Sequence, residues 1–165
     1  MSKASSVLTD AVRQAASRSV LCWLATVDAK GQPNVSPKEV WAIADDRHVV
    51  VANIASPVTV RNIGQQPKVC LSFVDVLVQK GFKLQGCARE LLPGDADYAR
   101  WAAPVLAMAG DRIPVRSVLL IVVDAVQPIV GPSYWLFPET TTEASQIEAA
   151  QRSYGLMPLS HTTSI

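Results

Sequence analysis

The chain has 165 residues, of which 49% are hydrophobic and 18% charged. That balance is too apolar for intrinsic disorder, and the length suits one domain with a real core. Fifteen Lys and Arg against fourteen Asp and Glu leave a net charge of +1, so the chain has no general polyanion-binding surface and no nucleic-acid partner is expected.

In chain order, Val7, Leu8, Ala11, Val12, Ala15 and Ala16 recur at helical spacing and predict an N-terminal helix within residues 1–18. Val20 to Val27 reads as a strand, Asp28 to Gln32 as a turn and Asn34 to Trp41 as a returning strand. Asp45-Asp46-Arg47 makes another turn before a third strand, His48 to Asn53. A short helix follows, with Ser56 at its N-cap, Pro57 in its first position and Gly64 just past its end. Lys68 to Asp75 and Lys80 to Glu90 are the fourth and fifth strands. The fifth alternates, with Phe82, Leu84 and Ala88 on one face and Lys83, Gln85 and Arg89 on the other.

Pro93-Gly94-Asp95 opens a helix from about Ala96 to Met108, which Pro104 is expected to kink or split. Val115 to Val126 is a long sixth strand, apolar enough for burial on both faces. Thr142 caps a last helix ending at Gly155, and residues 156–165 read as a flexible tail. Sequential strands joined by short turns predict one antiparallel sheet, and about six strands tend to close into a barrel. The longest convincing apolar run, Val118 to Val123, is far shorter than the roughly 20 residues of a membrane span. The N-terminal stretch has no uninterrupted signal-type apolar region. A cytoplasmic protein without a membrane partner is expected.

Cys22, Cys70 and Cys87 are widely spaced and lack a CxxC pairing, which predicts three reduced, buried thiols. With only two histidines, His48 and His161, no protein-built metal site is expected.

Three stretches can carry chemistry. Asn53 to Asn62 is a strand end feeding a helix N-terminus, whose free N–H groups and partial positive charge suit an anion. Ser56 and Thr59 add hydroxyls there, and Arg61 adds a fork for a phosphate. The same spacing also suits a plain structural helix with Arg61 in solvent. In Pro33 to Lys38, Asn34, Ser36 and Lys38 share one face. That face either binds a polar ligand or is the exposed side of an edge strand, and Pro37 argues for an edge or a bulge. Lys80 opens a strand beside Gly81, which lets another backbone or a flat ligand approach; a solvent lysine beside a turn is the plain alternative.

Taken together, residues 21–90 resemble the pyridoxamine 5'-phosphate oxidase-like family of FMN-binding split barrels. The motifs are Leu24-Ala25-Thr26-Val27-Asp28 with Gly31 to Lys38, Asn53 to Pro57 with Val60-Arg61-Asn62, Pro67 to Phe73, and Gln79 to Gly86. The resemblance implies a mainly β, six-stranded antiparallel split β-barrel with flanking helices, homodimeric, with FMN at the subunit interface. It places Ser36, Lys38, Asn53, Ser56, Thr59, Arg61 and Lys80 at the cofactor. Lys38 and Arg61 would neutralise the phosphate, and Trp41, Tyr134 or Trp135 could wall the flavin ring or simply pack. No catalytic residue follows, because the flavin carries the redox chemistry.

The oxidases proper are similar in a C-terminal Arg-x-His-x-Arg segment, a basic residue near Trp41 and a glutamine near Gly81. Here Gly131 to Glu139 lacks the first, and Trp41 and Gly81 replace the others. The resemblance therefore implies an FMN-dependent oxidoreductase acting on another small molecule. A flavin-binding or sensing module without turnover, and the same barrel holding haem or a deazaflavin, are the alternatives.

Overall fold

The computed structural model describes residues 7–156. The N-terminal helix α1 is Asp10–Ser17. Seven strands follow: β1 (Cys22–Val27), β2 (Pro33–Lys38), β3 (Trp41–Ile43), β4 (His48–Asn53), β5 (Lys68–Asp75), β6 (Lys80–Leu91) and β7 (Ser117–Val130). Helix α2 (Pro57–Gln65) lies between β4 and β5, and α3 (Tyr98–Ala109) between β6 and β7. Helices α4 (Ser133–Leu136) and α5 (Glu143–Tyr154) follow the sheet. The proposed tail, from 157 onward, lies outside the described residues. Among the described residues no helix is long and apolar enough to cross a membrane.

All seven strands form one antiparallel sheet in the order β2-β1-β5-β6-β7-β4-β3. The expected six strands become seven because the segment read as Asn34 to Trp41 is two strands. It breaks at Glu39 and Val40, so β2 pairs with β1 at one end of the sheet and β3 with β4 at the other. Lys38 and Trp41 are three residues apart, at most about 11 Å. Six interstrand spacings would separate the two ends of a flat sheet by about 29 Å. The sheet therefore curls into a half-barrel.

Alternation gives this sheet two cores. Val49, Val51, Leu119, Ile121 and Val123 point to the concave side, where they meet Leu24, Leu71, Phe73 and Leu84, with Leu8 and Val12 packed over them. Val50, Ala52, Val118 and Leu120 point outward against Trp101, Ala102 and Val105 of α3. This explains the doubly apolar sequence of β7, which also runs four residues beyond its expected end. Pro104 neither splits nor ends α3. It is half-buried next to Val105, whose burial holds that turn in place. The expectation of three buried thiols holds only for Cys22; Cys70 is half-buried, and the expectation fails outright at Cys87. It lies on the outward face of β6 and is exposed, whereas Cys22 points inward and is buried.

Curling brings backbones close at two glycines of β6. A Cβ on Gly81 would stand 1.9 Å from the Phe73 carbonyl oxygen, and one on Gly86 would stand 2.0 Å from that of Val122. The register also shifts between Gln85 and Gly86, as at a β-bulge. The close neighbour anticipated at Gly81 is thus a backbone. Gly81→Ala should destabilise the fold by at least about 2 kcal/mol in urea unfolding. Gly94→Ala, which meets nothing within 4 Å, should leave stability within about 0.5 kcal/mol.

Candidate functional site

The inward face of β2 carries Asn34, Ser36 and Lys38, as the period of two requires, and α2 lies across it. On α2 the matching residues are Ser56, Thr59 and Asn62, three apart and therefore on one helix face. Lys38 Nζ bonds Ser56 Oγ. Ser36 Oγ and Thr59 Oγ1 are 3.0 Å apart. Asn34 Nδ2 and Asn62 Nδ2 both donate to Thr26 Oγ1, at 3.3 and 3.1 Å. A polar ladder of strand residues thus pairs rung by rung with helix residues.

The ladder changes the roles expected of these side chains. Ser56 stands at the N-cap of α2, but its hydroxyl makes no cap bond and is taken by Lys38. The turn before the helix is held by Asn53, whose Oδ1 accepts the Ser56 N–H at 3.3 Å. Gly64 lies within the last turn of α2, not beyond it. Thr59 is buried and engaged with Ser36, so this pair chiefly docks the helix. Asn53 is also fixed from behind: its Nδ2 donates to Ser117 Oγ at 2.8 Å and to Glu90 Oε1 at 3.4 Å, and Ser117 Oγ in turn bonds Glu90. Sequence reasoning missed Ser117 and Glu90, because only the pairing of β7 with both β4 and β6 brings them to Asn53.

Three cationic groups remain at this end of the sheet. Lys38 is only 4% exposed, and among the described residues no carboxylate pairs with it. Burial holds its ammonium below the ordinary lysine range, partly countered by Cys22 opposite it. Burial likewise pushes the Cys22 thiol up to about 12. Arg61 and Arg116 line a cavity of about 270 Å³ at the start of α2, together with Asn53, Ser56, Pro57 and Val60. Arg116 is a third residue that sequence reasoning missed.

Lys80 stands apart. It pairs with Glu143 at 2.9 Å and lies over the Tyr134 ring at 4.5 Å, tying α5 and α4 to β6. Ten residues, about 33 Å of extended strand, separate it from Glu90 beside Asn53. The candidate ring walls divide similarly. Trp41 packs on Phe73 in the core, its ring 5.1 Å away, and borders a separate cavity of about 430 Å³ with Arg13, Glu39 and Met108. Tyr134 donates its hydroxyl to the Val78 carbonyl, and Trp135 is 70% exposed. His48 is held through Nδ1 by Asp45 at 2.8 Å and lies against Trp101. It is five residues along β4 from Asn53, about 17 Å.

With this geometry in view, a family model for pyridoxamine 5'-phosphate oxidase matches residues 8–129, a stretch that contains every strand but the last residue of β7 and both layers of the core. The chain belongs to this family. Solved structures agree. HupZ of Group A Streptococcus is 28% identical over 74% of this chain and 99% of its own, with a TM-score of 0.64. A putative pyridoxamine 5'-phosphate oxidase from Lactobacillus delbrueckii is 25% identical over 75% of this chain and 96% of its own, with a TM-score of 0.62. An FMN-binding protein from Syntrophomonas wolfei shares the fold at 16% identity, covering 73% of this chain and 84% of its own, with a TM-score of 0.59. No curated protein matches the chain.

Two outcomes follow for the site as it stands. A depressed lysine pKa means that the unfolded chain binds more protons between the folded value and the usual 10.5, so this group's contribution to stability rises with pH across that window. Lys38→Met should therefore stabilise the ligand-free protein at pH 7, by on the order of 1 kcal/mol in urea unfolding, and the gain should shrink as pH approaches 10.5. In native protein, iodoacetamide should label Cys87 and spare Cys22 until the fold is opened, read by peptide mass.

Proposed function

We propose that this chain is an FMN-binding oxidoreductase, with the FMN phosphate held where β2 meets the start of α2. The observation that carries this reading is Lys38. A nearly fully buried ammonium with a single hydroxyl partner lowers stability unless an anion completes its surroundings. The N-terminus of α2 adds free amides and the positive end of its dipole, and Arg61 adds a guanidinium suited to bidentate phosphate contact. These groups fit a phosphate carrying nearly two negative charges.

Ser36, Thr59 and Asn53 hold that frame in place: the first two dock α2 on β2, and Asn53 fixes the turn. When bound, the flavin supplies hydride transfer at its ring, and the chain supplies binding, orientation and charge. The family membership and the FMN-binding relative support the cofactor. The segment Gly131 to Glu139 offers no Arg-x-His-x-Arg, which supports a small substrate other than pyridoxamine phosphate.

A homodimer completes the reading. The cavity of about 270 Å³ is smaller than a typical pocket of about 300–1,000 Å³. It accommodates the phosphate end and leaves the ring to a surface beyond it. Val20, Trp23 and Val35 are exposed along β1 and β2, and Trp135, Leu136 and Phe137 along α4. Such apolar surface suits a second copy, and Lys80 would meet the cofactor only from that copy.

The test is the visible spectrum of the purified protein after FMN addition and desalting, with light scattering on the same sample. Two flavin bands retained by a dimer are expected, and Arg61→Ala should weaken FMN binding about tenfold or more. A colourless protein, or a Soret band in its place, would overturn the cofactor; a monomer would overturn the interface site. Oxidation of NADH or NADPH by the flavin-loaded protein then separates an oxidoreductase from a flavin-binding module without turnover.

A further inference from the structure

Among the described residues, most arginines are neutralised. Arg13, Arg18, Arg47, Arg89 and Arg152 pair with Asp46, Asp75, Asp124, Asp97 and Glu148, and Arg100 lies over the Trp101 ring. Arg61, Arg112 and Arg116 do neither, and of these Arg61 and Arg116 line one cavity. Two guanidiniums converging on a small space without a carboxylate between them repel each other. Glu90, the carboxylate that reaches Asn53, is already engaged behind it by Ser117 and the Asn53 amide.

Arg116 is also fixed in place. Its N–H donates to the Asn53 carbonyl oxygen at 3.0 Å, one residue before β7 begins. The side chain of the same Asn53 accepts the N–H of Ser56, the residue just before α2. One asparagine thus ties together the helix start that carries Arg61 and the strand start that carries Arg116, and both residues line the same cavity.

We propose that Arg116 is a second phosphate-binding residue, and that the Arg61–Arg116 pair selects a phosphomonoester dianion over the same molecule without its phosphate. This deepens the FMN reading and rests on it. One guanidinium suffices for a singly charged group; two unneutralised ones match a phosphate with close to two charges and three acceptor oxygens. Arg116 therefore sets the discrimination between FMN and riboflavin, and it does so without touching the ring.

Equilibrium titration by flavin fluorescence, with FMN and with riboflavin as separate probes, tests this on the full chain. The proteins are wild type, Arg61→Gln and Arg116→Gln, with circular dichroism to verify that each folds. Arg116 is exposed, so the fold should persist. Arg116→Gln should weaken FMN about tenfold to a hundredfold and leave riboflavin within about twofold. If Arg116→Gln keeps the wild-type ratio of FMN to riboflavin affinity while Arg61→Gln lowers it, the role of Arg116 is overturned and the phosphate site stands. If both variants keep the wild-type ratio, the phosphate site itself is overturned. If wild type retains neither flavin, the cofactor reading falls and this inference with it.

Discussion

The architecture depends on one constraint: the two terminal strands of the sheet are consecutive in the chain and separated by only Glu39 and Val40. Seven strands cannot be laid flat when their first and last members are a few residues apart. Curling is therefore forced by connectivity, and the close backbone approaches at Gly81 and Gly86 are where β6 absorbs it. The break also separates neighbours onto opposite sides of the sheet. Val40 joins the outer core beneath α3, and Trp41 joins the inner core.

The same curl creates the polar ladder. With β2 at the end of the sheet, its inward face has no facing strand and would expose an amide, a hydroxyl and an ammonium to a largely apolar interior. Ser56 and Thr59 at the start of α2 answer the ammonium and the hydroxyl, while the Asn34 amide bonds Thr26 of β1, which Asn62 also reaches. The answer is incomplete at the Lys38 rung, since a neutral hydroxyl cannot match a buried positive charge, and at Asn62, whose buried Oδ1 has no hydrogen-bond partner among the described residues. A locally unfavourable arrangement that the rest of the fold holds in place is the kind of feature expected at a binding site.

Much of this was legible in the sequence because it is local. The alternation of β6, the Thr142 capping box of α5 with Ser145 and the αL Gly155 that ends it, and the edge position of β2 announced by Pro37 all follow from neighbours in the chain. Ser36 and Lys38 were legible as candidates because the strand period puts them on one face, and Ser56, Thr59 and Arg61 because they stand where a strand end feeds a helix start. What was not legible depends on pairings between distant segments. The break at Glu39 and Val40 has no turn residue to mark it. Glu90, Arg116 and Ser117 reach the site only through the order of strands. Cys87 looked like a core residue because it sits between apolar neighbours, and the pleat turned it outward. Lys80 shares a strand with Glu90 but stands at the opposite end of it.

The pairing of Asn53 with Ser117 carries a consequence for how the molecule is made. The two residues lie 64 positions apart, and closing a loop of that length costs about 4 kcal/mol beyond a constant. The walls of the small cavity come from either side of that loop, so no fragment of the chain can assemble it early. The cavity forms only with the pairing of β4 and β7, which are farther apart in the chain than any other paired strands of the sheet. An occupant would then act as a latch on the finished barrel, adding its binding free energy to the closure on which every other strand pairing relies.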